Sequence, residues 1–199
     1  ATLVNGRDRK VNIDATQRVT VHQGGLSLEA NWKLPSDFTL TSVSSYRWWN
    51  FSPRNDDGIN VPASYNGGVS VEDQQWSQEV RLASPTGGAF DYVLGGYYFG
   101  SRLDNTNKAS NGPLADIWNG TAAGALANVE SVAKGHIETN SFALFGQGTW
   151  HLTPKLDFTA GIRGTYEEKS AWVSRSAPTG GVAVSGAAAT TAINVFENL

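Results

Sequence analysis

Leu156-Asp-Phe-Thr-Ala-Gly-Ile-Arg-Gly-Thr-Tyr166 alternates without a break. Leu156, Phe158, Ala160, Ile162, Gly164 and Tyr166 fall on one side of an extended chain, and Asp157, Thr159, Gly161, Arg163, Thr165 and then Glu167 on the other. A period of two that separates an apolar face from a polar one belongs to a half-buried strand, not to a helix. Upstream, across a turn containing Pro154, Phe142, Leu144, Trp150 and Leu152 oppose Ala143, Gln147, Thr149 and His151, with Phe145 as the exception. The two runs read as a hairpin. The same grammar recurs in Leu26 to Leu34 with Phe38 to Trp48 around Pro35, and in Trp76 to Leu82 with Phe90 to Phe99 around Pro85. Leu26, Leu28, Ala30, Trp32 and Leu34 alternate strictly with Ser27, Glu29, Asn31 and Lys33, and Trp76, Val80 and Leu82 oppose Ser77, Glu79 and Arg81. In the Tyr92 to Phe99 run Val93 and Leu94 fall on opposite faces, which leaves its orientation open.

Alternation of this kind fits a soluble β-sandwich as well as a membrane barrel. The connections favour the barrel. The three turns are a few residues each, whereas Ser52 to Gln75 and Ser101 to Ile137 read as long loops. Short turns on one side and long loops on the other are the pattern of outer-membrane barrels, with the long loops extracellular. Aromatic residues also fall at two levels: Trp32, Phe38, Phe90, Trp150 and Phe158 near the short turns, and Trp48, Trp49, Phe51, Trp76, Tyr97, Tyr98, Phe99, Tyr166 and Trp172 near the long-loop ends. Two such levels match the girdles at the membrane interfaces. The expected fold is all-β, an antiparallel transmembrane barrel segment. Arg9 to Val21 offers a weaker strand with Val11, Ile13 and Ala15 on one face, and the Gly, Ala and Thr-rich tail after Ala177 offers no convincing closing strand. A portion of a larger barrel is therefore expected, occupying 1–199 with hairpins at about 26–48, 76–99 and 142–166 and no second domain.

Composition narrows the function. The 199 residues include no Cys and no Met and carry a formal net charge of −3. Without Cys there is no disulfide or thiolate chemistry, and the slight acidity argues against nucleic acid as a partner. Lack of both Met and an apolar signal core suggests a processed chain or an internal piece of a longer one. No run approaches the length of a membrane-spanning helix, a test to which a barrel is invisible because its lumen face is polar. His22, His136 and His151 lack metal-ligand spacing and read as ordinary loop or lumen residues, so no metal and no cofactor is expected. Glu79 with Arg81, and Arg163 with Glu167, share a face, a pattern that could be read as catalytic carboxylates with basic partners; as lumen charges they avoid the roughly 2 to 4 kcal/mol that a charge facing lipid at the midplane costs.

Phe38-Thr-Leu-Thr-Ser-Val-Ser-Ser-Tyr-Arg47, Gln78-Glu-Val-Arg-Leu-Ala-Ser-Pro85, Phe90-Asp-Tyr-Val-Leu-Gly-Gly-Tyr-Tyr-Phe99, Ser141-Phe-Ala-Leu-Phe-Gly-Gln-Gly-Thr-Trp150 and Leu156 to Lys169 follow one another in an order that resembles the barrel of TonB-dependent outer-membrane receptors. The resemblance covers most of Leu26 to Lys169, while the family's plug, TonB box and terminal aromatic strand have no counterpart. It implies a receptor of the Gram-negative outer membrane, not an enzyme, in contact with outer-membrane lipid and lipopolysaccharide. It further implies energised uptake of a scarce small-molecule or glycan ligand, such as an iron-siderophore complex or an oligosaccharide, with TonB acting through a plug absent here. Arg47, Glu79, Arg81, Arg163 and Glu167 are the candidate lumen or plug contacts.

Ligand contacts are expected on the long loops, which a rigid scaffold presents. Trp49, Phe51 and Arg54 offer an aromatic and cationic surface for a sugar or an aromatic chelate, and Asp56 and Asp57 offer carboxylates to a cation. The plainer reading of Trp48 and Trp49 is an interfacial girdle followed by a solvated turn. In the second loop Leu114, Ile117, Trp118, Ala125, Leu126 and Val129 share one helical face behind Pro113, which reads as a short packed helix or, more sharply, as a ligand-facing element bearing Trp118. Two other function classes stay open: a complete small barrel serving as adhesin or anchor, and a soluble β-sandwich binding carbohydrate through Trp48, Trp49 and Trp118.

Overall fold

The computed structural model describes residues 7, 16–55, 64–120, 123–179 and 193–198. They form one antiparallel meander in which each strand pairs with the next in sequence. The strands are β1 (Arg18–Lys33), β2 (Thr39–Arg54), β3 (Ser64–Ala83), β4 (Phe90–Asn111), β5 (Glu130–Thr153), β6 (Leu156–Thr179) and the short β7 (Ile193–Asn198). Alternation and neighbour-to-neighbour pairing follow from short connections between twisted strands. Leu34 N–H donates to the Phe38 carbonyl across the first turn, where Ser36 and Asp37 both hold φ near 61°. Ser84 closes the second by donating its N–H to the Tyr92 carbonyl while its hydroxyl accepts from Tyr92 N–H at 2.9 Å.

Pairing carries each face across the sheet. Leu28, Ser44, Gln78, Tyr98, Phe142 and Tyr166 form one continuous row, and Glu29, Val43, Glu79, Tyr97, Ala143 and Thr165 the row behind it. Curvature tells the faces apart. Along β5 Phe142 and Leu144 are 53% and 76% exposed, whereas the intervening Ser141 and Ala143 are 6% and 5% exposed. The apolar row therefore lies on the outer, convex side and the polar row on the inner one, as a barrel in lipid requires. Leu94 takes its place outside and Val93 inside, which resolves the ambiguous run. Phe145, the exception to the alternation, points inward and lies over Gly95, where an added Cβ would sit 2.3 Å from the ring. Glycine at 95 leaves room for the neighbouring strand's aromatic ring.

The strands are longer than the alternating runs alone suggest. β2 runs to Arg54 and β3 begins at Ser64; β4 runs to Asn111 and β5 begins at Glu130. Much of what reads as loop in Ser52 to Gln75 and Ser101 to Ile137 is thus strand, standing beyond the apolar band. The weak strand expected over Arg9 to Val21 is seen only from Arg18, as the start of β1; Val11, Ile13 and Ala15 lie outside the described residues. The helix behind Pro113 is α1 (Ala115–Asn119), one turn ending at Gly120 in the left-handed conformation. Leu126 and Val129 are joined by a turn hydrogen bond rather than continuing α1.

Outward-facing aromatics border the band at two levels. Phe90, Trp150 and Phe158 make the lower one, with Phe90 and Trp150 centroids 4.5 Å apart. Tyr46, Trp76, Tyr98, Phe142 and Tyr166 make the upper one. There Trp76 Nε1 donates to Tyr98 Oη, which donates in turn to Asn140 Oδ1 at 2.9 Å. Trp49, Phe51, Tyr97 and Phe99 do not belong to this upper girdle, because their strand positions face inward. Within the band the outer row also carries Ser42, Ser44 and Gln78, which satisfy one another: Ser44 donates to Gln78 Oε1 and Gln78 Nε2 donates to Ser42 Oγ.

Candidate ligand site at the upper inner face

Above the upper girdle the strands continue with their alternation intact and their polarity reversed. Outside stand Glu72, Asp104 and His136 in one row and Trp48, Gln74, Arg102 and Glu138 in another. Inside, Trp49, Asp73, Leu103, Ile137 and Ala171 share one row and Val21, Phe51, Val71, Asn105, Gly135 and Val173 the next. A strand leaving lipid for water needs a polar outer face. An apolar inner face at the same level is not required for solubility, which makes it the candidate surface for an apolar partner.

Local contacts build this mouth. Trp49 and Phe51 stand two residues apart on one face of β2 with centroids 6.2 Å apart. Trp49 Nε1 donates to Asp73 Oδ2 at 2.9 Å and Gln75 Nε2 donates to the same oxygen at 3.0 Å. Below them Arg47 leans across Gly25, where a Cβ would meet the Arg47 Cγ at 2.9 Å. A recess of about 410 Å³ opens there, lined by Gln23, Gly25, Ser27, Ser45 and Arg47 among others. Two larger hollows, of about 730 and 640 Å³, lie instead over outward-facing glycine and apolar residues such as Gly96, Leu144 and Gly164, or Leu94, Gly146 and Ile162. They face where lipid belongs, so volume alone does not mark the ligand site.

Strand parity divides the expected site residues. Trp49, Phe51 and Arg47 come together on the inner face, whereas Arg54, paired with Arg18, lies on the outer one and is not brought to them. Asp56 and Asp57 lie outside the described residues. Trp118 is exposed on α1 beside Ile117, which is 80% exposed. The loop beneath is organised by Asp116, a buried carboxylate whose oxygens accept from Gly124 N–H at 2.7 Å and Leu126 N–H at 2.6 Å. Of the lumen charges, Glu79 pairs with Arg81 at 3.1 Å, and Glu167 pairs with Lys169 at 2.7 Å rather than with Arg163. Arg163 lies over the Tyr97 and Phe145 rings, 5.4 and 5.8 Å from their centroids.

Two of the three histidines, His151 and His136, are held by carboxylates. At the lower rim His151 bridges Asp91 and Asp157 at 2.9 and 2.8 Å. Outside, above the girdle and clear of the band, His136 Nδ1 meets Asp104 at 2.6 Å and Nε2 meets Glu138 at 3.1 Å, with the Trp172 ring stacked at 5.9 Å. The hydrogen bond to Asp104 raises the His136 pKa above its ordinary value, and the same contact lowers that of Asp104. No group of three or more His, Cys, Asp or Glu side chains suited to a metal occurs among the described residues.

Residues 2–192 match the family model described as TonB dependent receptor-like, beta-barrel. The chain belongs to this family. Its members are receptors and transporters of the Gram-negative outer membrane, not enzymes. Among solved structures it is similar to the ferric yersiniabactin uptake receptor FyuA from Yersinia pestis, with a TM-score of 0.69 at 15% identity over 94% of the chain. At that identity the likeness shows the fold. The chain spans 26% of the length of that receptor. No curated protein matches. The TonB-dependent barrel fold accounts for the meander, the short turns at one end and the tall strands at the other.

Asp73, Val71, Leu103 and Ile137 join this candidate face from stretches whose sequence reads as loop. The signal that finds them is the same period of two, followed past the girdle and allowed to change sign.

Proposed function

We propose that this chain is a portion of a larger outer-membrane receptor barrel for energised uptake of a scarce organic ligand, such as an iron-siderophore complex or an oligosaccharide. The ligand rests on the inner face above the girdle, around Trp49 and Phe51. One observation carries this: the polarity of the strands inverts there, giving an apolar concave surface under a water-facing exterior. Ligand sites are mostly apolar and concave, with few polar groups that fix orientation. The match to about a quarter of FyuA supports the reading as part of a larger barrel, and that neighbour's role as a ferric yersiniabactin uptake receptor supports an iron chelate as the kind of cargo. The lower inner face, with the Glu79–Arg81 pair and Arg163, supplies plug contacts, and TonB acts through that plug. Outer-membrane lipid covers the apolar band, and lipopolysaccharide surrounds the charged rows above it.

The test uses the full receptor in cells with and without TonB, supplied with iron-55 chelates and labelled oligosaccharides. Uptake of one class that requires TonB and falls at least tenfold in a Trp49→Ala, Phe51→Ala double variant is the expected result. Unchanged uptake by that variant at equal surface expression would move the ligand site elsewhere.

A further inference from the structure

On the inner face of β2, Arg47, Trp49 and Phe51 occupy three successive positions, so a cation stands directly below the aromatic pair. Its charge is unanswered. Inside the band and at the mouth Arg81 pairs with Glu79, Lys169 pairs with Glu167, and Arg163 lies over Tyr97 and Phe145. Arg47 is exposed and has neither an ion pair nor a side-chain hydrogen bond among the described residues. Its stem crosses Gly25, and with Gln23 and Ser27, whose amide and hydroxyl can donate to an anion, it lines the recess of about 410 Å³. From Arg47 to Lys169 the row reads Gln75, Ser101 and Thr139, with no carboxylate in it.

Asp73 lies one row higher, about 7 Å along the strands. It is 6% exposed, and its Oδ2 accepts from Trp49 and Gln75 at 2.9 and 3.0 Å, which ties the indole in place. The two charges therefore orient an arriving anion: Asp73 repels it from the apolar rows, and Arg47 attracts it below them. A neutral oligosaccharide would leave the guanidinium without a counter-charge and set hydroxyls against Phe51, Val71, Leu103 and Ile137. An apolar ring that carries a planar oxyanion at its edge satisfies both levels. We infer that Arg47 selects an anionic ligand, donating from its guanidinium fork to a carboxylate on the ligand's edge while Trp49 and Phe51 cover the apolar ring. This rests on the reading of the mouth as the ligand site and narrows its cargo to a chelate with a free carboxylate.

The experiment uses the full receptor in detergent, with micelles alone as the blank, and two fluorescent probes: 2-naphthoate, an aromatic anion at neutral pH, and 2-naphthamide, the uncharged relative of the same shape. The wild type is expected to bind naphthoate about tenfold or more tightly than naphthamide. Arg47→Gln should bring that ratio close to one with naphthamide binding unchanged, and Arg47→Lys should keep part of the preference, because the charge remains and the fork is lost. Heat-modifiable migration in gels verifies that each variant barrel is folded. Equal binding of the two probes by the wild type, binding of neither, or a preference that survives in Arg47→Gln overturns the inference. The Trp49→Ala, Phe51→Ala variant separates the two levels of argument. If it loses both probes while Arg47→Gln keeps the preference, only the role of Arg47 falls; if it binds both as well as the wild type, the mouth itself is not the site.

Discussion

Replacing Ile162 by Arg should cost far more in a bilayer than its exposure suggests. Ile162 is 81% exposed, and in a soluble protein an exposed substitution is usually within about 0.5 kcal/mol of neutral. Its height in the band decides otherwise. Ile162 stands midway along β6 between Phe158 of the lower girdle and Tyr166 of the upper one, four residues from each. At about 3.4 Å per residue and a strand tilt of about 40°, four residues rise about 10 Å, so the two girdles are about 20 Å apart. That approaches the roughly 25 Å apolar band of outer-membrane barrels and puts Ile162 at its midplane. Arg at that depth costs about 2 to 4 kcal/mol, and near an interface about 0 to 1. The full receptor, refolded into phosphatidylcholine vesicles and unfolded by denaturant, should therefore lose about 2 to 4 kcal/mol with Ile162→Arg and at most about 1 with Tyr166→Arg. Thr165→Arg, on the inner face, should cost less than Ile162→Arg. Equal losses at 162, 165 and 166 would refute the assignment of the outer face to lipid.

Gly100→Ala places a Cβ 2.4 Å from the Trp76 ring and must displace it from Tyr98, with a loss of about 1 to 3 kcal/mol and a shifted tryptophan emission. Asp116→Ala removes the acceptor of the Gly124 and Leu126 amides; limited proteolysis should then cut within 112–129 at lower protease concentration while the strands stay intact. Because the His136 pKa is raised in the folded chain, its contribution is fully present below the unfolded value and is lost as pH rises through the folded one. The lowered Asp104 pKa works oppositely, so its contribution is present above the unfolded value and disappears in acid. Hydrogen-exchange protection factors in the upper parts of β4 and β5, taken relative to the intrinsic base-catalysed rate at each pH, should accordingly be largest in mildly acidic buffer and smaller above neutrality, and His136→Gln should flatten the alkaline limb.

The band was legible because its alternation is simple. Leu156 to Tyr166 has no exceptions, and Leu26 to Leu34 has none, so both the strands and their outer faces follow from the residues. Phe145 looks like an error in the pattern until Gly95 is seen beneath it, a cross-strand fit that no single strand reveals. The upper strands were harder for a physical reason. A strand above the membrane needs polar residues outside, so Glu72, Asp104, His136 and Glu138 give those stretches the composition of loops. Trp48 and Trp49 show the same limit: adjacent in sequence, they belong to opposite faces and opposite environments. Asp116 was obscured differently, since its acceptors' partners lie eight and ten residues away and only folding brings them to it.

Because the mouth and the band share the same strands, the register that sets one sets the other. Ile162 outside and Arg163 inside fix the parity of β6, and through pairing with Gly146 and Phe145 that of β5; the same parity carried upward puts Ile137 inside and His136 outside. A slip of one residue in β2 would turn Trp49 and Phe51 toward water and bring Trp48 and Arg54 in, while also presenting Arg47 and Ser45 to lipid. The cost of charged and polar groups in the band therefore also fixes which residues reach the proposed ligand face. On this account the long strands are what the proposed site requires: the bilayer selects the parity, and the extensions above it apply that choice to Trp49 and Phe51.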